Sequence, residues 1–223
     1  MPIRIVLTGY HRLLRQGLRA LLRHTQDLEI VGEACNDEEM VACVRRQRPD
    51  IVLLDSEMIG TNGLIATRLI RELWPTVAVL ALTSRGDEEL MYIGMKAGVW
   101  GHIPKGTARR ELIDMIRGAS RGEMAIAPFL AHLALQEANV LSQAAGAFAK
   151  PLLNEVEIMI LQAVDQGSPL DEIGTWLGLS PQTLMARLRD VFFTKLPLSP
   201  DFQAAVGTLH RKIFPHSVVF NSQ

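Results

Sequence analysis

Five short apolar runs alternate with five amphipathic stretches through residues 1–121, and this alternation leaves few folds open. Ile3–Leu7, Leu28–Ala34, Ile51–Leu54, Ala78–Leu82 and Val99–His102 read as strands. Leu13–His24, Asp37–Arg48, Gly63–Trp74, Asp87–Ala97 and Ala108–Arg121 read as the helices between and after them. In the first helix Leu14, Leu18, Leu21 and Leu22 keep the i, i+4, i+7, i+8 spacing of one buried face. The third and fourth runs show no polar alternation, as strands covered on both faces require. The pattern predicts an α/β fold, a doubly wound parallel five-stranded sheet. Such a sheet gathers its chemistry at the carboxyl ends of the strands, where Thr8-Gly9-Tyr10, Asp55, Thr83 and Lys105 fall.

The pattern then changes. Residues 122–151 are Ala-rich and nearly uncharged, and predict a helical linker. Residues 152–213 predict an all-α four-helix domain, and 214–223 a tail. Asn154 and Glu157 form a capping box ahead of Val156–Val164. Ser168-Pro169, Ser180-Pro181 and Ser199-Pro200 each offer a capping hydroxyl before a proline suited to the first helical position. The break at Leu177-Gly178-Leu179 gives helix-turn-helix spacing.

Net charge is −1, so no global basic field advertises nucleic acid. Residues 1–121 carry 17 Lys/Arg against 15 Asp/Glu, whereas 152–223 carry 5 against 7. Cys35 and Cys43 stand in no metal-binding pattern, and His24, His132, His210 and His216 lack ligand spacing. No cofactor or metal is expected. The longest clean apolar run, Val77–Leu82, is too short to span a bilayer, and Met1-Pro2-Ile3-Arg4 leads straight into a strand. A cytoplasmic protein without membrane contact is the expectation.

Residues 1–121 resemble the receiver domain of a two-component response regulator. The resemblance rests on Ile3–Leu7, Arg15-Gln16-Gly17-Leu18, the run Pro49 to Asp55, Gly63-Leu64, Leu82-Thr83-Ser84, Lys96-Ala97-Gly98 and Lys105. Residues 152–213 resemble the helix-turn-helix output domain of the NarL/LuxR type, on Leu153, Glu157, Gly167, Glu172-Ile173, Leu177 to Ser180, Thr183-Leu184 and Lys195-Leu196. The resemblance implies that Asp55 is the phosphoacceptor-like aspartate and that Thr83 and Lys105 bind phosphoryl oxygens. His102 stands at the position of the switch aromatic. Gly9 and Tyr10 replace the acidic pair that, with the aspartate, would hold Mg²⁺. Hard divalent ions want several oxygen ligands, and each lost carboxylate forfeits on the order of a few kcal/mol of attraction. Phosphotransfer through Mg²⁺ is therefore expected to fail. Tyr10 is read as filling the vacated pocket, Asp55 and Lys105 as an inherited ion pair, and Ile59 as a departure where a proline is usual.

In the output domain the resemblance makes Pro181–Phe193 the recognition helix. Gln182, Thr183, Met185, Ala186, Arg187 and Arg189 are placed on or near its outward side, with Lys195 beyond. Gln182 and Met185 stand where the family carries lysines. Gln182 can still read adenine and Arg187 guanine. The stripe Phe202, Val206, Leu209 and Ile213 is either intradomain core or a two-fold dimer contact. The chain reads as an atypical, pseudo-receiver response regulator that controls transcription by binding double-stranded DNA as a homodimer. A partner protein or small ligand at the receiver would supply its signal. The rival reading is a protein-interaction module that sequesters a partner regulator or kinase. No nucleophile–base pair argues for an enzyme.

Overall fold

The computed structural model describes residues 1–58, 63–84, 88–124, 126–145, 151–198 and 200–214. The elements run β1 (Ile3–Thr8), α1 (Arg12–Leu22), β2 (Leu28–Ala34), α2 (Asp37–Gln47), β3 (Ile51–Asp55), the single turn α3 (Ser56–Met58), α4 (Leu64–Leu73), β4 (Ala78–Thr83), α5 (Glu88–Ala97), β5 (Val99–Pro104) and α6 (Arg109–Ser120). There follow α7 (Pro128–Ala145), α8 (Glu155–Asp165), α9 (Leu170–Leu177), α10 (Pro181–Asp190), a π-helical turn (Val191–Lys195) and α11 (Pro200–Ile213). The five strands form one parallel sheet in the order β2-β1-β3-β4-β5. β1 lies in register with β3 from Ile5↔Ile51 to Thr8↔Leu54, and its pairing with β2 shifts by a residue between Ile5 and Val6. β3 and β4 are buried along their whole length, as two covered faces demand.

The chain divides into two compact units. One comprises Met1–Val79 and the segment from Leu198 onward. Its core is Ile5, Leu7, Met40, Val44, Ile51, Leu53, Leu69 and Ile70. α2 begins on Asn36, whose side chain accepts from the Glu39 N–H at 2.8 Å, with three acidic residues in its first turn. In this unit α11 packs against α2 and α4. Val206 and Leu209 are buried and Phe202 is half-buried. The Phe214 ring lies 6.5 Å from that of Trp74, the Arg45 guanidinium sits 5.0 Å over Phe214, and Lys212 pairs with Glu38. The stripe is therefore not the core of the four-helix output domain, one of its two expected roles: it packs against α2 and α4. The sequence shows that the stripe is apolar; its partner is chosen by the tertiary fold.

The second unit is Leu80–Pro197. α7 packs on α8 and α5, and Glu137 of α7 accepts hydrogen bonds from Tyr92 Oη (2.6 Å) and Lys96 Nζ (2.8 and 3.0 Å) on α5. Within the linker expected over 122–151, the helix runs from Pro128 to Ala145. The capping box forms as read: Asn154 Oδ1 accepts from the Glu157 N–H, and Glu157 accepts from the Asn154 N–H, both at 2.9 Å. Ser180 caps α10 with Pro181 at the first helical position. Ser168 does not cap α9. Pro169, extended at φ −61° and ψ 142°, is itself the capping position, and it has no side-chain hydroxyl. Ser199 and Ile59 lie outside the described residues, as do Asp87, His216 and most of the 214–223 tail. Between α9 and α10, Gly178 takes φ +64° and lets the Leu179 N–H reach the Gly174 carbonyl at 2.8 Å. After α10 the Leu196 N–H bonds to the Val191 carbonyl at 3.0 Å, an i→i+5 closure that buries Phe192 and Phe193.

Candidate functional site

In the N-terminal unit the carboxyl ends of β1 and β3 bring Gly9 against Asp55. Asp55 is fully buried, and its Oδ1 accepts from the Glu57 N–H at 3.3 Å. A Cβ built on Gly9 would lie 3.1 Å from the Asp55 Cβ and 3.3 Å from its Oδ2. A side chain at Gly9 would thus meet Asp55 in a tight contact at its very first carbon. Tyr10 does not fill the pocket beside Asp55: it is 46% exposed. The Arg15 guanidinium donates to the main-chain carbonyls of Gly9 and Tyr10. Arg15 and Arg19 also grip Glu33 at 3.0 and 2.7 Å and hold its carboxyl below the usual range, despite partial burial. His11 Nε2 pairs with Glu57 Oε2 at 2.6 Å on the exposed rim.

Among the described residues no group of three or more His, Cys, Asp or Glu side chains converges where it could hold a metal ion. Where the resemblance places the acidic pair of a Mg²⁺ site, the donor set does not fit that ion. Gly9 offers no side-chain oxygen, and the Tyr10 side chain points to solvent.

The second unit places Thr83 at the end of β4 and Lys105 just past β5. Thr83 is buried, and its carbonyl accepts from the Lys105 N–H at 2.8 Å. The Lys105 side chain is exposed. His102, on β5, is 8% exposed, and neither ring nitrogen has a hydrogen-bond partner among the described residues. Burial pulls its pKa down to about 4, so the imidazole is neutral.

Helix α10 sorts its candidate residues by face. Gln182, Thr183 and Ala186 are exposed, while Leu184, Met185 and Leu188 are buried. Met185, expected outward, is only 8% exposed and lines a cavity with Ala108 and Met115. Its i, i+3 spacing to Leu188 places it on the inner face. Arg187 is half-buried, and its Nε is buried without a partner among the described residues. Arg189 stacks 5.0 Å over the ring of buried Trp100 on β5. Lys195, expected as a DNA contact, is held by Glu157 at 2.7 and 2.8 Å, with Asp190 at 3.9 Å. That ion pair fastens the π-helical turn to the capping box of α8. Neither the Arg189–Trp100 contact nor the Lys195–Glu157 pair carries a local sequence signal, because the partners are 89 and 38 residues apart.

Residues 5–117 match the family model of the response regulator receiver domain. Response regulator UvrY of Escherichia coli (strain K12) is 33% identical over 202 residues, covering 90% of this chain and 91% of UvrY. Transcriptional regulatory protein LiaR of Bacillus subtilis (strain 168) is 30% identical over 204 residues, covering 92% and 95%. The crystal structure of response regulator ChrA from a heme-sensing two-component system aligns over 95% of this chain and 97% of ChrA, at 27% identity and a TM-score of 0.50. A parallel five-stranded sheet with an aspartate buried at the end of its central strand, together with matches that span nearly the whole chain, places the protein among the response regulators.

Proposed function

We propose that this response regulator is a DNA-binding regulator of transcription whose receiver is not switched by Mg²⁺-dependent aspartyl phosphorylation. The observation that carries the second half is the pocket beside Asp55, where Gly9 and Tyr10 supply no carboxylate and any side chain at Gly9 would crowd Asp55. The first half is supported by the full-length likeness to a transcriptional regulatory protein and by a capped helix-turn-helix with Gln182, Thr183 and Ala186 facing solvent. The functional division is a receiver over 1–121, a linker over 122–151 and an output domain over 152–213. The active species is a homodimer on double-stranded DNA, since one small domain with so few basic residues binds weakly and pairing two multiplies affinity. Arg189 and Met185 face inward in this state, so their use on DNA requires α10 to leave β5 and α6.

One observation favours the rival reading. Arg189 and Lys195 are both engaged within the chain, which leaves the acidic output half with little positive charge to offer phosphates. On that reading the protein captures a partner regulator or kinase. Salt titration of binding to genomic and random DNA separates the two. A DNA reader loses affinity steeply with salt and prefers particular fragments. A sequestering protein binds no fragment even at low salt. The receiver half is tested separately: acetyl phosphate with Mg²⁺ should leave the intact mass unchanged, and a stoichiometric Mg²⁺-dependent adduct on Asp55 would refute it.

A further inference from the structure

The second unit contains a cavity of about 800 Å³, within the size range of small-molecule sites. Its apolar wall includes Met115 and Met124 from the α6 side and Leu184 and Met185 from α10. Thioethers pack well against aromatic rings and adapt to their shape, so three methionines around one space favour a flat aromatic body over a branched aliphatic one. The charged rim is lopsided: Glu111, Asp114, Glu123 and Asp171 against Arg110. Asp114 and Glu123 are partly answered by Arg117 and Arg121, at 3.4 and 2.8 Å. Glu111 and Asp171 have no ionic partner among the described residues, and both are exposed, so their charge is open to a ligand.

We propose that this cavity is a binding site for an arylalkylamine, with the ring among the methionines and the alkylammonium at the acidic rim. The cavity shares no lining residue with the Asp55 pocket, and nothing in it requires phosphorylation. Because Pro181, Leu184 and Met185 form one wall, an occupant rests directly on the start of α10.

The test is calorimetric titration of the full chain, without DNA, with two probes that share a ring: 1-naphthylmethylamine and 1-naphthylacetic acid. The amine should bind one-to-one and at least about tenfold more tightly than the acid. Met115→Trp, which fills the cavity from a partly exposed position, should weaken amine binding by about tenfold or more. Glu111→Lys with Asp171→Lys, both at exposed positions, should reverse the preference toward the acid, an outcome that unfolding cannot mimic. Absence of saturable amine binding, equal affinity for the two probes, or indifference to both variants would overturn the proposal. Since no DNA is present, the result stands apart from that of the salt titration.

Discussion

At the scale of single residues, two positions carry more of the physics than their neighbours. His102 is a neutral imidazole with two buried nitrogens, held at a pKa of about 4 by desolvation. Between pH 6.5 and 4 the unfolded chain takes up a proton that the folded chain refuses. Stability is therefore lost as pH falls through that window and levels off below it. His102→Phe keeps the ring and removes the proton site, so the acid loss should shrink by roughly 3 kcal/mol at about pH 4. Removing two unsatisfied buried atoms should also raise the melting temperature at neutral pH. Parallel pH–stability curves for the two proteins would contradict this account. Gly9 is the other position. Gly9→Asp with Tyr10→Asp restores two carboxylates by composition, but a side chain introduced at Gly9 must push Asp55 aside from a 3.1 Å contact. A small Mg²⁺-dependent thermal shift is expected, accompanied by lower stability without the ion. A wild-type chain that binds Mg²⁺ as tightly as this variant would show that the pocket argument fails.

At the scale of elements, the output helices depend on contacts that cross from one element to another. Glu157 is both the closing partner of the α8 capping box and the anchor of Lys195, with its side chain 4% exposed. Lys195→Met leaves that carboxylate buried with only its capping hydrogen bond. The loss should be about 2 kcal/mol, below the range for fully buried pairs because Lys195 remains 26% exposed. If Lys195 instead serves DNA, the same variant would flatten the salt dependence of binding by about one phosphate's worth and leave unfolding unchanged. Denaturant unfolding and a salt titration on one sample decide between the two. The caps themselves were legible: Asn154, Glu157, Ser180 and Gly178 act where their types and spacing place them. Ser168 does not cap α9, because a serine–proline pair marks the start of a helix but does not say which of the two residues takes the capping position.

At the scale of the whole molecule, the return of α11 to α2 and α4 is the feature with the largest consequence. Val206→Asp puts a charge where α11 packs on those helices and should release α11, at a cost of several kcal/mol if the carboxylate stays buried. Hydrogen exchange should then rise through α11 while the amides of β1 and β3 stay protected. Loss of protection in the strands as well, or no change anywhere, would show that α11 is not a separable clasp. If the dimer also uses this stripe, the freed helix should raise the dimer fraction in sedimentation of the unmodified chain at conditions that loosen α11, and Val206→Asp should abolish it.

The sequence by itself determined what depends on short-range pattern. The strands of the sheet, the helices between them and the capped starts of α8 and α10 all follow from periodicity, residue type and order. Hydrophobic alternation and cap chemistry act over a few residues, so they are written locally. Only the tertiary structure decided which apolar surface each amphipathic element meets. It put Met185 inward, Tyr10 outward, Arg189 on Trp100, Lys195 on Glu157 and the α11 stripe on α2 and α4. Burial is non-directional: an apolar stripe specifies that it must be covered, and a cation that it needs an acceptor, but neither specifies by whom. That choice belongs to the packing of elements far apart in the chain.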